Sequence, residues 1–219
     1  MVGIVLLGPP GVGKGTQAVR LKEALGLLHF STGDALRQAV RSGSALGLRV
    51  KSVMDSGSLV SDELVGEVVE CALAEGAASC SGFLLDGFPR TPRQIEILDG
   101  ILATRRLPLD HAILIDAPEA VLLRRLTGRR VCPCCDAVYN LGGRPPKTAG
   151  RCDACGAALV QRPDDGSETV LERLRVYRGQ TAPVIAIYKD RSLLREIDGS
   201  RESDEVFASI LALLRGVVV

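Results

Sequence analysis

Residues 2–16 of the 219-residue chain read VGIVLLGPPGVGKGT, and no other stretch narrows the fold as far. Val2–Leu7 is a nearly unbroken apolar run ending at glycine, the pattern of a strand buried on both faces of a parallel sheet. Gly15–Ala24 then reads as a helix. Between them, Gly8-x4-Gly13-Lys14 has the spacing of a phosphate-binding loop. Glycines let such a loop fold tightly and turn several N–H groups inward, and the following helix adds its positive N-terminal end. Lys14 is placed to reach the β- and γ-phosphates of a nucleotide. One position departs from the pattern: Gly15 stands where Ser or Thr is usual, and the hydroxyl comes one residue later, at Thr16.

The rest of the chain alternates in the same way. Leu28–Phe30, Phe83–Leu85, Ala112–Ile115 and Leu193–Ile197 read as further strands. Ser61–Leu73, Pro92–Leu102, Glu119–Leu126, Thr169–Tyr188 and Asp204–Leu214 read as helices. This rhythm predicts an α/β fold built on a parallel sheet flanked by helices. Two stretches fit it poorly and read as inserts. Residues 31–60 look like two short helices joined by RSGSALG, and residues 128–165 are rich in Gly, Pro and Cys. Hydrophobic residues make up 46% and charged residues 24%, and the net charge is +1, which gives no sign of a nucleic-acid or membrane partner. The N-terminus lacks the basic region of a signal peptide, and no apolar stretch is long enough to span a bilayer. A cytoplasmic location is expected.

Asp86, in LLDGFPRT, falls at the carboxyl end of a predicted strand, where α/β folds place ligands. An acid there can hold Mg2+ through waters; taken alone it reads equally well as a helix cap. Arg37, Arg90, Arg125, Arg129, Arg162 and Arg173 lie in or beside the predicted loops and inserts. A lone arginine is usually a solvated surface charge. Several converging on one cleft would suit phosphoryl transfer, where catalysis is mostly positioning and charge stabilisation.

GPPGVGKGTQA, STGDALR, LVSDELV, DGFPRTPRQ, GRRVC, DD...ET...RL..Y and QTAPVI occur in the order found in adenylate kinases. Over nearly its whole length the chain resembles that family in its long-lid bacterial form. The resemblance implies a P-loop nucleoside monophosphate kinase core with a five-stranded parallel sheet, formed by residues 1–30, 61–127 and 166–219. It implies an AMP-binding insert at 31–60 and a lid at 128–165. It implies Mg2+-dependent transfer of a phosphoryl group between ATP and AMP, giving two ADP, by a monomer, and it accounts for Gly15. Matched by motif, Gly11, Val12, Gly13, Lys14, Gly15 and Thr16 would cradle the ATP phosphates. Thr32 and Arg37 would hold AMP, with Ser58, Leu59 and Val60 lining its pocket. Gly87, Phe88, Pro89 and Arg90, with Gln94, would bind the AMP phosphate and read adenine. Arg125 and Arg129 would contact ATP, and Arg162 and Arg173 would close over the transferring group. Val138 and Tyr139 fall where the lid meets the ATP base, and Arg201 where a loop backbone does.

Four of the seven cysteines form two C-x2-C pairs, Cys132 with Cys135 and Cys152 with Cys155, separated by sixteen residues. That is the spacing of a four-thiolate structural zinc site, closed to substrate; iron or cobalt would also suit such a site. Some adenylate kinases carry a zinc in the lid, and RRVCPCCDAVY resembles it. An insert of this size with few large apolar side chains cannot build a core alone, so a metal would stabilise it. Cys134 is expected to be spare, Cys71 to lie in the core, and Cys80 to have no role. A zinc-ribbon nucleic-acid binder is the alternative from a different class, disfavoured by the neutral charge and the missing aromatic-basic patch. Other nucleoside monophosphates or GTP are the nearer alternatives; Thr32 and Gln94 favour AMP.

Overall fold

The computed structural model describes residues 1–76 and 80–215. In chain order, β1 (Val2–Leu7), α1 (Lys14–Leu25) and β2 (Leu28–Ser31) are followed by α2 (Thr32–Ser42), α3 (Ala45–Asp55) and α4 (Asp62–Gly76). Then come β3 (Gly82–Asp86), α5 (Pro92–Arg105), β4 (His111–Asp116) and α6 (Glu119–Thr127). The short β5 (Arg129–Val131) and β6 (Val138–Asn140) precede α7 (Ser167–Val176), α8 (Ala182–Asp190), β7 (Leu194–Asp198) and α9 (Ser203–Arg215).

The main sheet has the order β2-β3-β1-β4-β7, with every pair parallel. Strand alternation sorts its apolar side chains between two layers. Val5, Leu7, Phe83, Leu85, Ala112 and Leu114 face α4, α5 and α8. Ile4, Leu6, Leu84, Ile113 and Ile115 face α1, α6, α7 and α9. Both faces are covered, which is why these strands read as continuous apolar runs. Each fully buried Leu, Ile or Phe contributes about 1.5–3 kcal/mol. The chain leaves β1 toward β2 and leaves β3 toward β4 in the opposite direction, so a crevice opens at the carboxyl ends of β1 and β3.

Side-chain caps set the helix starts around this crevice. Ser31 Oγ accepts from Asp34 N–H, Ser44 Oγ from Gly47 N–H, and Thr91 Oγ1 from Gln94 N–H. The expected joint between the first two insert helices shrinks to Gly43 and Ser44. Beside the antiparallel β5–β6 pair, Cys132, Tyr139 and Cys152 form a small hydrophobic cluster of their own.

Two expectations need correction. The single helix expected over 169–188 is broken by a π-helical segment, Tyr177–Thr181. Pro183 has no N–H to continue the ladder, and the Ala182 N–H reaches back five residues to the Tyr177 carbonyl instead. Cys71 is on a helix, but exposed rather than in the core, because α4 buries Val65, Gly66, Val69 and Leu73 on a different face.

α2 and α3 approach so closely that a Cβ on Gly47 would stand 2.0 Å from the Ala39 carbonyl oxygen. Gly47→Ala must therefore push the two helices apart. We expect a loss of about 1–3 kcal/mol in denaturant unfolding; an unchanged midpoint would contradict this packing.

Candidate active site

The loop after β1 turns at Gly8, Gly11 and Gly13, with φ of 140°, 84° and 106°. L side chains rarely adopt such values. Gly13 stands at the N-cap of α1 and offers no capping side chain, so the N–H groups of the first turn are left for an anion. Lys14 Nζ donates to the Gly8 carbonyl at 2.7 Å and the Pro9 carbonyl at 3.0 Å. Burial lowers its pKa to about 8, against the pull of Asp86 and helped by Arg90, Arg173 and Arg129. Val12 packs its side chain into the core, so only its backbone faces the loop. Asp86 ends β3 with only 8% exposure, and a Cβ on Gly15 would stand 3.5 Å from its Oδ2.

The arginines do converge, and acids hold them. Asp165 is fully buried. It accepts from Arg129 Nε at 2.7 Å and Nη2 at 2.5 Å, and from Arg173 Nη1 at 3.0 Å. Asp164 pairs with Arg173 at 2.9 Å. Burial raises the Asp164 pKa, but Arg173, Arg129, Arg37 and Arg162 together hold it below the usual carboxylate range. Asp34 pairs with Arg37 at 2.5 Å and lies 3.8 Å from Arg162. Arg90 donates from Nε to the Gly87 carbonyl at 2.7 Å. Burial and neighbouring cations lower Arg90 and Arg162 to about 10, which leaves both charged at neutral pH. Arg125 stands apart: its Nη1 donates to the Gly199 carbonyl at 2.6 Å and the Val12 carbonyl at 3.3 Å. Here it fastens the phosphate loop to the loop after β7. The Arg201 carbonyl accepts from Arg125 Nη2 at 3.4 Å, while the Arg201 side chain bonds Glu205 and Ser209.

Two adjoining hollows open along this cluster. Both are bordered by Gly57, Leu59, Gly87, Arg90 and Arg173. One continues past Lys14, Gly8, Pro10 and Pro89. The other is lined by Thr32, Leu36, Arg37, Met54, Ser58, Val60, Val65, Gln94 and Asp164, a slot that mixes apolar side chains with cations, an acid and an amide. Thr32 Oγ1 donates to the Gly87 carbonyl at 2.9 Å, joining α2 to the DGFPR loop. Phe88 turns into the core instead. Val138 is 42% exposed, and Tyr139 packs inside the cysteine unit. Sequence reasoning gives no role to Asp34, Asp62, Asp164 or Asp165; the tandem acids just after Arg162 were the available signal.

The sulfurs of Cys132, Cys135, Cys152 and Cys155 lie within 4.8 Å of one another. Contacts of 3.4, 3.5 and 3.7 Å among them approach the ~3.8 Å edge of a tetrahedron with zinc–sulfur bonds of about 2.3 Å. The two pairs are near copies. Cys132 N–H bonds the Ala137 carbonyl and Cys152 N–H the Ala157 carbonyl. Asp136 and Gly156, at φ of 57° and 73°, bond back to Cys132 and Cys152. The Cys152 thiol is pulled down to about 6, first by the Tyr139 hydroxyl and further by the N–H groups of Cys155 and Ala154. This donor set fits a metal ion. Cys134 is exposed and outside the cluster.

A glycine loop between β1 and α1 of a parallel sheet, with two hollows that share arginines beside it, is the arrangement of a P-loop phosphotransferase. The adenylate kinase family model matches residues 6–193. An adenylate kinase from Clostridium tetani is 49% identical over 216 residues, covering 99% of this chain and 100% of that one. One from Carboxydothermus hydrogenoformans is 50% identical over 208 residues, covering 94% and 96%. One from Thermotoga maritima is 47% identical over 216 residues, covering 98% and 97%. The chain belongs to the adenylate kinase family, and its reaction is the reversible transfer of a phosphoryl group from ATP to AMP.

Two predictions follow from this geometry. In the free enzyme Lys14 carries its proton below about pH 8 and loses it above. kcat/KM for ATP should therefore fall as pH rises through about 8, while kcat, set by the nucleotide-bound state, should hold to higher pH. A pH profile flat in kcat/KM beyond pH 9 would contradict the lowered pKa. Separately, Cys135→Ser should lower bound metal and the thermal midpoint, whereas Cys134→Ser should change neither. Metal analysis with a melting curve checks this, and the reverse result would reassign the ligands.

Proposed function

We propose that ATP occupies the hollow beside Lys14 and AMP the slot beside Gln94, with their phosphates meeting at Arg90 and Arg173. The observation that carries this reading is the sharing of those two arginines by both hollows. An AMP phosphate oxygen then attacks the γ-phosphorus of ATP in line, and no side chain forms a covalent intermediate. Gly11–Thr16 hold the donor phosphates, and Lys14 neutralises charge on the transferring group. Arg90 forms a two-pronged pair with the AMP phosphate, since Nε is already committed to Gly87 and the two Nη groups are left. Arg37, Arg162 and Arg173 complete the cationic wall. Asp86 is an oxygen donor of the kind Mg2+ takes, bordering the loop at Gly15, and would hold the ion through water. When bound, Mg2+ adds charge neutralisation between the phosphates.

In this reading residues 31–60 are the AMP-binding insert, 128–165 the lid, and the remainder the core. Arg129 and Arg162 would arrive with the lid as it closes and excludes water. Arg41 of α2 meets Asp136 of the cysteine unit at 2.7 Å, which supports such a closed arrangement. The metal is zinc, stabilising the lid without touching the phosphates. The enzyme acts as a monomer in the cytoplasm. All seven cysteines are free of disulfides, and among the described residues no helix is long and apolar enough to cross a membrane.

The test is ADP formation from ATP with a panel of nucleoside monophosphates. AMP should be the preferred acceptor. Arg90→Lys keeps the charge but loses the fork, and should lower kcat/KM for AMP on the order of 100-fold. Wild-type turnover in that variant would remove Arg90 from the acceptor phosphate.

A further inference from the structure

We infer that Asp62 makes the acceptor slot selective for a 6-aminopurine over a 6-oxopurine, by fixing which way round the Gln94 amide sits. The inference rests on the proposal that Gln94 reads the acceptor base.

An amide is nearly symmetric in shape, and a half-turn exchanges its donor and its acceptor at little steric cost. Adenine offers a donor at its 6-amino group and an acceptor at N1. A 6-oxopurine offers the reverse, an acceptor at O6 and a donor at N1. A glutamine free to turn would therefore suit both bases, and its presence alone does not discriminate.

In this protein Gln94 is not free to turn. It is 2% exposed. Its Oε1 accepts from the Arg90 backbone N–H at 2.7 Å, and its Nε2 donates to Asp62 Oδ1 at 2.9 Å. A backbone N–H can only donate, and an ionised carboxylate can only accept. Turning the amide would set donor against donor at one end and oxygen against carboxylate at the other. An unmade pairing of this kind in a buried place is costly. The amide has two N–H groups and two lone pairs, and these two bonds use one of each. One donor and one acceptor remain for a base in the slot that Gln94 lines.

Asp62 is itself held. Thr91 Oγ1 donates to Asp62 Oδ2 at 3.0 Å, and Thr91 Oγ1 in turn accepts from the Gln94 backbone N–H at 3.1 Å. The start of α4 is thereby tied to the start of α5, and the carboxylate has little freedom to leave the amide. The Arg90 N–H is backbone, which any residue but proline at that position supplies. Asp62 is the side-chain half of the lock. Its competing role is structural, since Asp62 and Glu63 occupy the first turn of α4, where acids complement the helix dipole. A residue serving only that role would change stability and leave base selectivity alone.

The experiment compares kcat/KM for AMP and for IMP, which shares its ribose and phosphate, with ATP as donor. The variants are Asp62→Ala, Asp62→Asn and Gln94→Ala. Asp62→Ala should reduce the AMP:IMP ratio about tenfold, chiefly through KM for the acceptor, with KM for ATP unchanged. Asp62→Asn, which keeps the shape but can offer either a donor or an acceptor, should fall between it and wild type. An unchanged ratio in folded Asp62→Ala, with the ratio lost in Gln94→Ala, would overturn the positioning role and leave Gln94 as the reader. An unchanged ratio in Gln94→Ala would instead overturn the reading on which the inference rests. Should Asp62→Ala fail to fold, an unchanged ratio in Asp62→Asn overturns the positioning role by itself.

Discussion

The site depends on holding like charges together. Lys14, Arg37, Arg90, Arg129, Arg162 and Arg173 crowd one cleft of a chain whose net charge is only +1. Cations taken out of water repel one another strongly and lose hydration, and burial, with the neighbouring arginines adding to it, lowers Lys14 to about 8. Acids that the substrate does not need make the arrangement possible. Asp165, with no solvent exposure, grips Arg129 and Arg173 together, while Asp164 and Asp34 hold Arg173 and Arg37. In the proposed reading the positive field is in place before the phosphates arrive, and a field set in advance needs little reorganisation during reaction.

The fold brings these groups to one place from distant parts of the chain. Lys14 follows β1, and Arg90 follows β3, its neighbour in the sheet. Thr32 and Arg37 come from the helix that starts where β2 ends. Arg129 and Arg162 flank the cysteine unit, and Arg173 lies on α7, just before the π-helical segment. The four-cysteine cluster takes no part in this wall: its sulfurs gather on one another, between two near-identical turns with few buried apolar residues around them.

Much of this was legible in the sequence. The continuous apolar runs of β1, β3 and β4, the Gly8–Thr16 spacing and the doubled C-x2-C pattern each act through neighbours a few residues apart. Helix faces were less legible: Cys71 sits on α4 as expected, but its side of that helix is decided by what α4 packs against. The π-helical segment had a signal in Pro183, but whether a proline breaks, kinks or bulges a helix depends on how the next turns must pack. Tyr139 matches the position of a nucleotide contact, yet its ring and hydroxyl are used inside the cysteine unit.

By itself the sequence determined the class of the fold, the glycine-loop spacing, the doubled C-x2-C pattern and the family, because each is written in local patterns of spacing and polarity. Only the tertiary structure decided which acid serves which arginine, that Arg125 is bound to loop carbonyls, and that Asp62 faces the Gln94 amide across 32 positions. Those pairings join residues far apart in the chain. Their energy comes from distance, burial and orientation, and none of the three exists until the sheet and its helices have closed around the cleft.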